Sequence, residues 1–233
     1  VSGVLTPARE LQPELPESVE VMLAVALAKK PEDRYSSARA MLEDLNKIRN
    51  DSASIIQADL ADINILPNLI EKTIKTYGRL DILINNAGYF VPGKLQNEPA
   101  GQLEAQLNVN LFSAYHLTRA LLAPMMAAKK GHIFNICSIA SLNAYANGGS
   151  YSISKFALAG FTKNLREELK QHGIKVTGVY PGAVYTASWD GSGVDPKRIM
   201  EASDVATMIV AAASLSDAAV AEDIVLRPQL GDL

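Results

Sequence analysis

The sequence predicts an α/β protein built on a doubly wound, mostly parallel sheet, preceded by an N-terminal helical segment. Three observations predict this. From residue 51 onward, short apolar runs of strand length alternate with helical stretches, the pattern of parallel strands joined by crossover helices. Glycine occurs at Gly3 and then not until Gly78, so residues 1–50 hold no glycine turn of the kind that opens such sheets. The chain is 48% apolar and 20% charged, which is ordinary for a globular protein.

Residues 1–17 hold Pro7, Pro13 and Pro16 and read as an irregular lead-in. Ser18–Lys30 is a run of helix formers stopped by Pro31. Ser37–Arg49 places Ala38, Met41, Leu42, Leu45 and Ile48 on one helical face. Residues 1–50 are thus expected to be an atypical helical segment, and 51–233 an incomplete sheet domain. Ser54–Ala58 is a short strand candidate. Leu66–Tyr77 is a helix with Leu66, Leu69, Ile70 and Ile74 on one face. Asp81–Ile84 is a buried strand. Leu103–Ala128 is a long helical stretch, interrupted or closed near Pro124. His132–Cys137 is a strand, and Ser152–His172 a helix ended by Gly173. Lys175–Tyr180 is a strand ended by Pro181-Gly182. Ala202–Leu215 is a helix and Asp223–Leu226 the last strand.

The net charge is −3. That leaves no basic excess to neutralise phosphates, so no nucleic-acid partner is expected. A single cysteine, Cys137, excludes an internal disulfide and a cysteine-built metal site. His116, His132 and His172 are widely spaced and show no ligand pattern, so no metal is expected. No apolar run reaches membrane-spanning length, and the N-terminus has no signal-peptide layout. The expected location is cytoplasmic. Cys137 is expected to be a buried structural thiol, and His132 and His172 to be structural.

The residues that carry chemistry gather at strand ends. Tyr151 and Lys155 are four apart, one turn along the same helical face. An ammonium beside a phenol favours the tyrosinate. A group that ordinarily titrates near 10 then becomes usable as an acid or base at neutral pH. Ser138 follows the His132–Cys137 strand directly. Asn85-Asn86-Ala87-Gly88 follows the Asp81–Ile84 strand, where small residues let backbone approach a ligand. Pro181-Gly182, with Thr186 beyond, closes the Lys175–Tyr180 strand. Three strand ends and one helix start converge on the carboxyl edge of one sheet, where open α/β sheets bind ligands.

Over residues 51–233 this set resembles the short-chain dehydrogenase/reductase family. The matching residues are NNAG at 85–88, Asn110 within NVN, Ser138, YSISK at 151–155, the stretch 181–186, and Asp59 in ADLAD. The resemblance implies a Rossmann-like fold and NAD or NADP as cofactor. It implies hydride transfer between nicotinamide and a small carbonyl compound and its alcohol. It assigns Tyr151 as general acid/base, Lys155 as the group that lowers the Tyr151 pKa and holds the nicotinamide ribose, and Ser138 as the group that orients the carbonyl. Asn110 would anchor the proton relay through a backbone kink. Asp59, Leu60, Asn86, Ala87 and Gly88 would lie on the adenosine side of the cofactor, and Pro181, Gly182, Val184 and Thr186 on the nicotinamide side. A homodimer or homotetramer, paired through the helices of about 103–128 and 152–172, is implied as well.

The sequence departs from that family at its start: against the family's order, the Rossmann-like sheet lacks its first two strands, and the N-terminal helical segment stands in their place. No T-G-x-x-x-G-x-G turn precedes residue 51 to receive a pyrophosphate, so the cofactor site reads as truncated. Residues 15–45, through the stretch A-K-K-P-E-D-R-Y with Arg34, instead resemble the C-terminal helices of a serine/threonine protein kinase domain. Two readings therefore stand: an NAD(P)-dependent oxidoreductase, or a catalytically silent remnant or scaffold that cannot bind the dinucleotide. Structurally, the helices of residues 18–49 are expected to cover the gap beside Asp81–Ile84, or the strand at Ser54–Ala58 to pair there.

Overall fold

The computed structural model describes residue 56, residues 58–186, residue 189 and residues 192–233. The two N-terminal helices, the kinase-like stretch and the strand expected at Ser54–Ala58 lie outside the described residues, apart from Ile56 and Ala58.

Among the described residues, four strands form one sheet: β1 (Ile82–Asn85), β2 (Gly131–Ile136), β3 (Ile174–Pro181) and β4 (Asp223–Leu226), paired in that order. All three pairings are parallel. Each parallel step needs a crossover. Helix α1 (Leu66–Tyr77) precedes β1. Helices α2 (Gln102–Leu107) and α3 (Ser113–Ala128) join β1 to β2, α4 (Gly149–Leu169) joins β2 to β3, and α5 (Ala202–Ala213) joins β3 to β4. The expected doubly wound parallel sheet is present.

Alternation along the strands sorts the core into two faces. Ile82, Phe134, Val179 and Ile224 point to the face that α5 covers with Ile209 and Ala212. Leu83, Ile133, Ile174 and Val176 point to the other face, under Leu121 and Met125 of α3 and Leu165 and Leu169 of α4. Burying side chains of this size stabilises the fold by roughly 1.5–3 kcal/mol each. A buried polar ladder ties the ends of β1 and β2 together. Asn85 and Asn135 are register partners. Asn85 Nδ2 donates to Asn135 Oδ1 at 2.7 Å, and Asn135 Nδ2 donates to Thr162 Oγ1 of α4 at 2.9 Å.

Two elements differ from expectation. The long helix is not broken at Pro124; α3 runs through it to Ala128. Leu121 and Met125, 4% and 1% exposed, flank the proline, and their packing outweighs the missing N–H. The irregularity lies earlier, in a π-turn at Asn108–Phe112 between α2 and α3. Helix α4 also starts at Gly149, three residues before the expected Ser152.

Candidate active site

The carboxyl edge of the sheet collects the site. Ser138 stands two residues beyond β2, in extended backbone, and caps the short 3₁₀ turn Ile139–Ser141. Its Oγ accepts the N–H of Ala140 at 3.1 Å. Its own N–H donates to Ser141 Oγ at 3.1 Å. These reciprocal bonds hold the Ser138 side chain in one place. Tyr151 lies in the first turn of α4 and Lys155 one turn further on. Ser138 lies near enough to the Tyr151 phenol to act on its titration. Lys155 is buried, and its Nζ donates to the Ile136 carbonyl at the end of β2 at 2.8 Å. That ammonium stands 5.8 Å from the centre of the Tyr151 ring.

Asn110 is the middle residue of the π-turn and is fully buried. Its Oδ1 accepts the N–H of Tyr89 at 2.9 Å. Its Nδ2 donates to the Tyr89 carbonyl at 3.1 Å and to Ser154 Oγ at 2.9 Å. Ser154 in turn donates to the Tyr151 carbonyl at 2.7 Å. The wider π-turn turns this asparagine toward the segment after β1.

Gly88 sits in the crook of these groups. A Cβ built there would stand 3.1 Å from Asn110 Oδ1 and 3.4 Å from Lys155 Nζ. A side chain there would make Asn110 give by a few tenths of an ångström and would touch the Lys155 ammonium. Gly182 is similarly pressed, with a would-be Cβ 3.4 Å from Ile139 Cδ1 and 3.2 Å from Pro228 Cδ. Its N–H donates to the Leu226 carbonyl at 2.8 Å. Pro181 ends β3, and Val184 bridges to Met200. Thr186 follows, half-buried, on the same segment.

The structure thus brings Ser138, Tyr151, Lys155, Asn110 and Gly88 together, with Gly182 beside Ile139. Asn86 and Ala87 are exposed in the segment entering this edge. Asp59 and Leu60 lie in a turn ahead of α1, where Asp59 Oδ1 accepts the Ala61 N–H at 3.0 Å. No hydrogen bond among the described residues joins that turn to the rest of the set.

The electrostatics differ from expectation at one point. Burial pushes the Tyr151 phenol above its ordinary value, and Ser138 pulls the other way. The Lys155 ammonium donates to the Ile136 carbonyl and is itself lowered to about 8, chiefly by desolvation. Burial likewise raises the Cys137 thiol, which matches the expected structural role. His132 is lowered to about 3, first by burial and then by Lys175. It pairs with Thr177 Oγ1 at 2.7 Å.

Sequence reading missed the groups that hold this set. Ser154 carries no signal of its own between Tyr151 and Lys155. Phe90 meets the Tyr151 ring edge-on with centroids 4.7 Å apart. Glu98 binds the start of α4 from fifty-two residues upstream. Among the described residues, no group of three or more His, Cys, Asp or Glu could hold a metal ion. No helix among them is long and apolar enough to cross a membrane.

Fold and site define a doubly wound α/β protein with a Ser-Tyr-Lys set at the carboxyl edge of its sheet. The short chain dehydrogenase family profile matches residues 23–195. A sepiapterin reductase of Chlorobaculum tepidum is 34% identical over 179 residues, covering 76% of this chain and 73% of the relative. An uncharacterised oxidoreductase of Staphylococcus epidermidis is 25% identical over 187 residues, covering 80% and 81%. Among solved structures, a metagenomic short-chain oxidoreductase in complex with NADP superposes with a TM-score of 0.70. It is 27% identical and covers 91% of each chain. A short-chain dehydrogenase from Streptomyces avermitilis superposes at 0.72 with 25% identity, covering 86% of this chain and 77% of that one. The chain belongs to the short-chain dehydrogenase family.

Proposed function

We propose that the chain is an NAD(P)-dependent oxidoreductase that interconverts a small carbonyl compound and its alcohol, with Tyr151 as general acid/base. The observation that carries this reading is the convergence of Ser138, Tyr151 and Lys155 at one sheet edge, with Gly88 held open beside the ammonium. The dehydrogenase family supports it, as do a relative named a reductase and a related structure that holds NADP.

The described residues fit the nicotinamide-ribose part of such a cofactor. An ammonium carries three donors, and only the bond to Ile136 is met by protein among the described residues. The other two donors suit ribose hydroxyls. The side-chain-free backbone at Gly88 leaves room beside them. Pro181, Gly182, Val184 and Thr186 would flank the nicotinamide, and Asp59, Leu60, Asn86 and Ala87 the adenosine. The cofactor supplies the hydride when bound. Tyr151 gives its phenolic proton to the carbonyl oxygen in reduction and takes it back in oxidation. A phenol raised by burial is protonated at neutral pH, which is the state that reduction needs. Ser138 holds the same oxygen. Asn110, through Tyr89 and Ser154, keeps the segment after β1 and the first turn of α4 in one arrangement.

Residues 51–233 are read as the catalytic domain, acting in the cytoplasm. Pairing of two copies through α3 and α4 is read from the apolar residues these helices expose, Tyr115, Ile153 and Phe156. Light scattering on the purified chain checks that pairing, and a 25 kDa species overturns it.

Calorimetric titration with NADPH and then NADH tests the function. Micromolar binding of either, with carbonyl-dependent NAD(P)H oxidation that Tyr151→Phe lowers by at least 100-fold, is the expected result. No binding at millimolar cofactor overturns it.

A further inference from the structure

We propose that Glu98 is a positioning residue for this reaction: it staples the first turn of α4 to the loop after β1 and so fixes where Tyr151 stands. The inference rests on the reading of Tyr151 as general acid/base.

The first N–H groups of a helix have no partner inside it. Helix α4 begins behind Gly148, which has no side chain to cap it. The missing acceptor comes from Glu98. Its Oε1 accepts the Ser150 N–H at 2.8 Å. Its Oε2 accepts the Ser150 hydroxyl in a short contact. Ser150 is 1% exposed, so water cannot replace the carboxylate, and an orphaned donor there is costly. A carboxylate also suits the positive end of the helix.

The fit is close on both sides. Gly149 has a φ of +44°, and a Cβ on it would collide with Glu98 Oε1 and stand 2.7 Å from the Gly93 carbonyl. The loop is tied down at two further points. The Gly93 N–H donates to the Asn147 carbonyl at 3.0 Å, and Asn110 clamps Tyr89. The same loop lays Phe90 against the Tyr151 ring. One loop therefore touches the acid/base ring with Phe90 and holds its helical turn with Glu98. Without the staple the first turn of α4 frays, and Tyr151 is the residue that follows Ser150. A misplacement of about 1 Å at a reacting group can cost on the order of 100-fold in rate.

The test uses the full chain with Glu98→Ala and Glu98→Gln. Glutamine keeps an acceptor for the Ser150 N–H and an amide for the hydroxyl. Two measurements are made: hydrogen exchange of the peptide covering 148–156 against that covering 158–169, and kcat and KM with NADPH and 2,3-butanedione as the carbonyl probe. For Glu98→Ala the expectation is at least tenfold faster exchange confined to 148–156, and a kcat lowered 10- to 100-fold. KM for NADPH should stay within about threefold. Glu98→Gln should restore both readouts to within about fivefold of wild type. Unchanged exchange at 148–156 overturns the proposal, as does faster exchange with unchanged kcat. If Glu98→Ala does not fold, Glu98→Gln decides by itself: a kcat lowered more than fivefold without faster exchange overturns the staple. Wild-type chain without turnover, or turnover that survives Tyr151→Phe, overturns the reading of Tyr151 and this role with it. Failure of the Glu98 role alone shows instead as Tyr151-dependent turnover that Glu98→Ala leaves intact.

Discussion

Asn110 and Ser154 are joined by a 2.9 Å hydrogen bond between Nδ2 and Oγ, and Ser154 passes the connection to the Tyr151 carbonyl at 2.7 Å. A side chain in the π-turn thus holds the backbone of the helix that carries the Tyr151 phenol, the proposed acid/base. The same asparagine holds both backbone groups of Tyr89. Asn110→Ala removes three hydrogen bonds and leaves buried partners unmet. The expected loss of stability is about 1–3 kcal/mol, read by urea unfolding. Ser154→Ala removes two bonds, those to Asn110 and to the Tyr151 carbonyl, and should cost less than the loss of three. Equal stability of Asn110→Ala and wild type would contradict this arrangement.

Gly88 and Gly160 make a matched pair. At Gly88 an added methyl meets Asn110 Oδ1 at 3.1 Å and Lys155 Nζ at 3.4 Å; at Gly160, inside α4, it meets nothing within 4 Å. Gly88→Ala should weaken NAD(P)H binding at least tenfold, because it crowds the ammonium proposed to hold the ribose. Gly160→Ala should leave binding unchanged and stabilise the helix by up to about 1 kcal/mol. Calorimetric titration and thermal melts of both variants check the pair.

Much of this was legible in the sequence. Spacing alone put Tyr151 and Lys155 on one face, and apolar runs placed β1 to β4 within about a residue of their observed bounds. The Leu66–Tyr77 helix and the Asp223–Leu226 strand match throughout. What escaped was non-local. Helix α4 starts early because Glu98, far upstream, satisfies Ser150, and no window around residue 150 contains that information. Pro124 read as an interruption or close of the helix because local propensity cannot weigh the burial of Leu121 and Met125. The π-turn depends on packing around Asn110, a residue visible as a motif but not as a bend. The Tyr151–Lys155 pair shows the same limit in electrostatics: i and i+4 placed the groups together, but burial, which spacing does not report, raises the phenol and lowers the ammonium.

Lys155 gives a signed prediction in alkali. Its value falls from 10.5 to about 8 in the folded chain, by desolvation. Between those values the unfolded chain binds more protons, so stability rises with pH from about 8 to 10.5. Lys155→Met removes the buried ammonium and flattens that rise. Unfolding midpoints at pH 8 and 10 check it. The same substitution should weaken cofactor binding, since the proposed ribose donor is gone.

His132 gives the opposite window. Burial, then Lys175, lowers it from 6.5 to about 3, and it stays neutral against Thr177 and stacked on Phe134 at 4.0 Å. Below pH 6.5 the unfolded chain takes up a proton that the folded chain refuses. Stability is therefore lost as the pH falls from 6.5 toward 3, at up to about 1.4 kcal/mol per pH unit from this residue. His132→Gln keeps a polar group for Thr177 without an ionisable ring. Its own stability at pH 7 should be lower than wild type, because the Phe134 stack is lost, yet it should lose less on going from pH 7 to pH 5. Urea unfolding of both chains at the two values measures the difference, and equal acid losses would show that His132 is not the group that titrates.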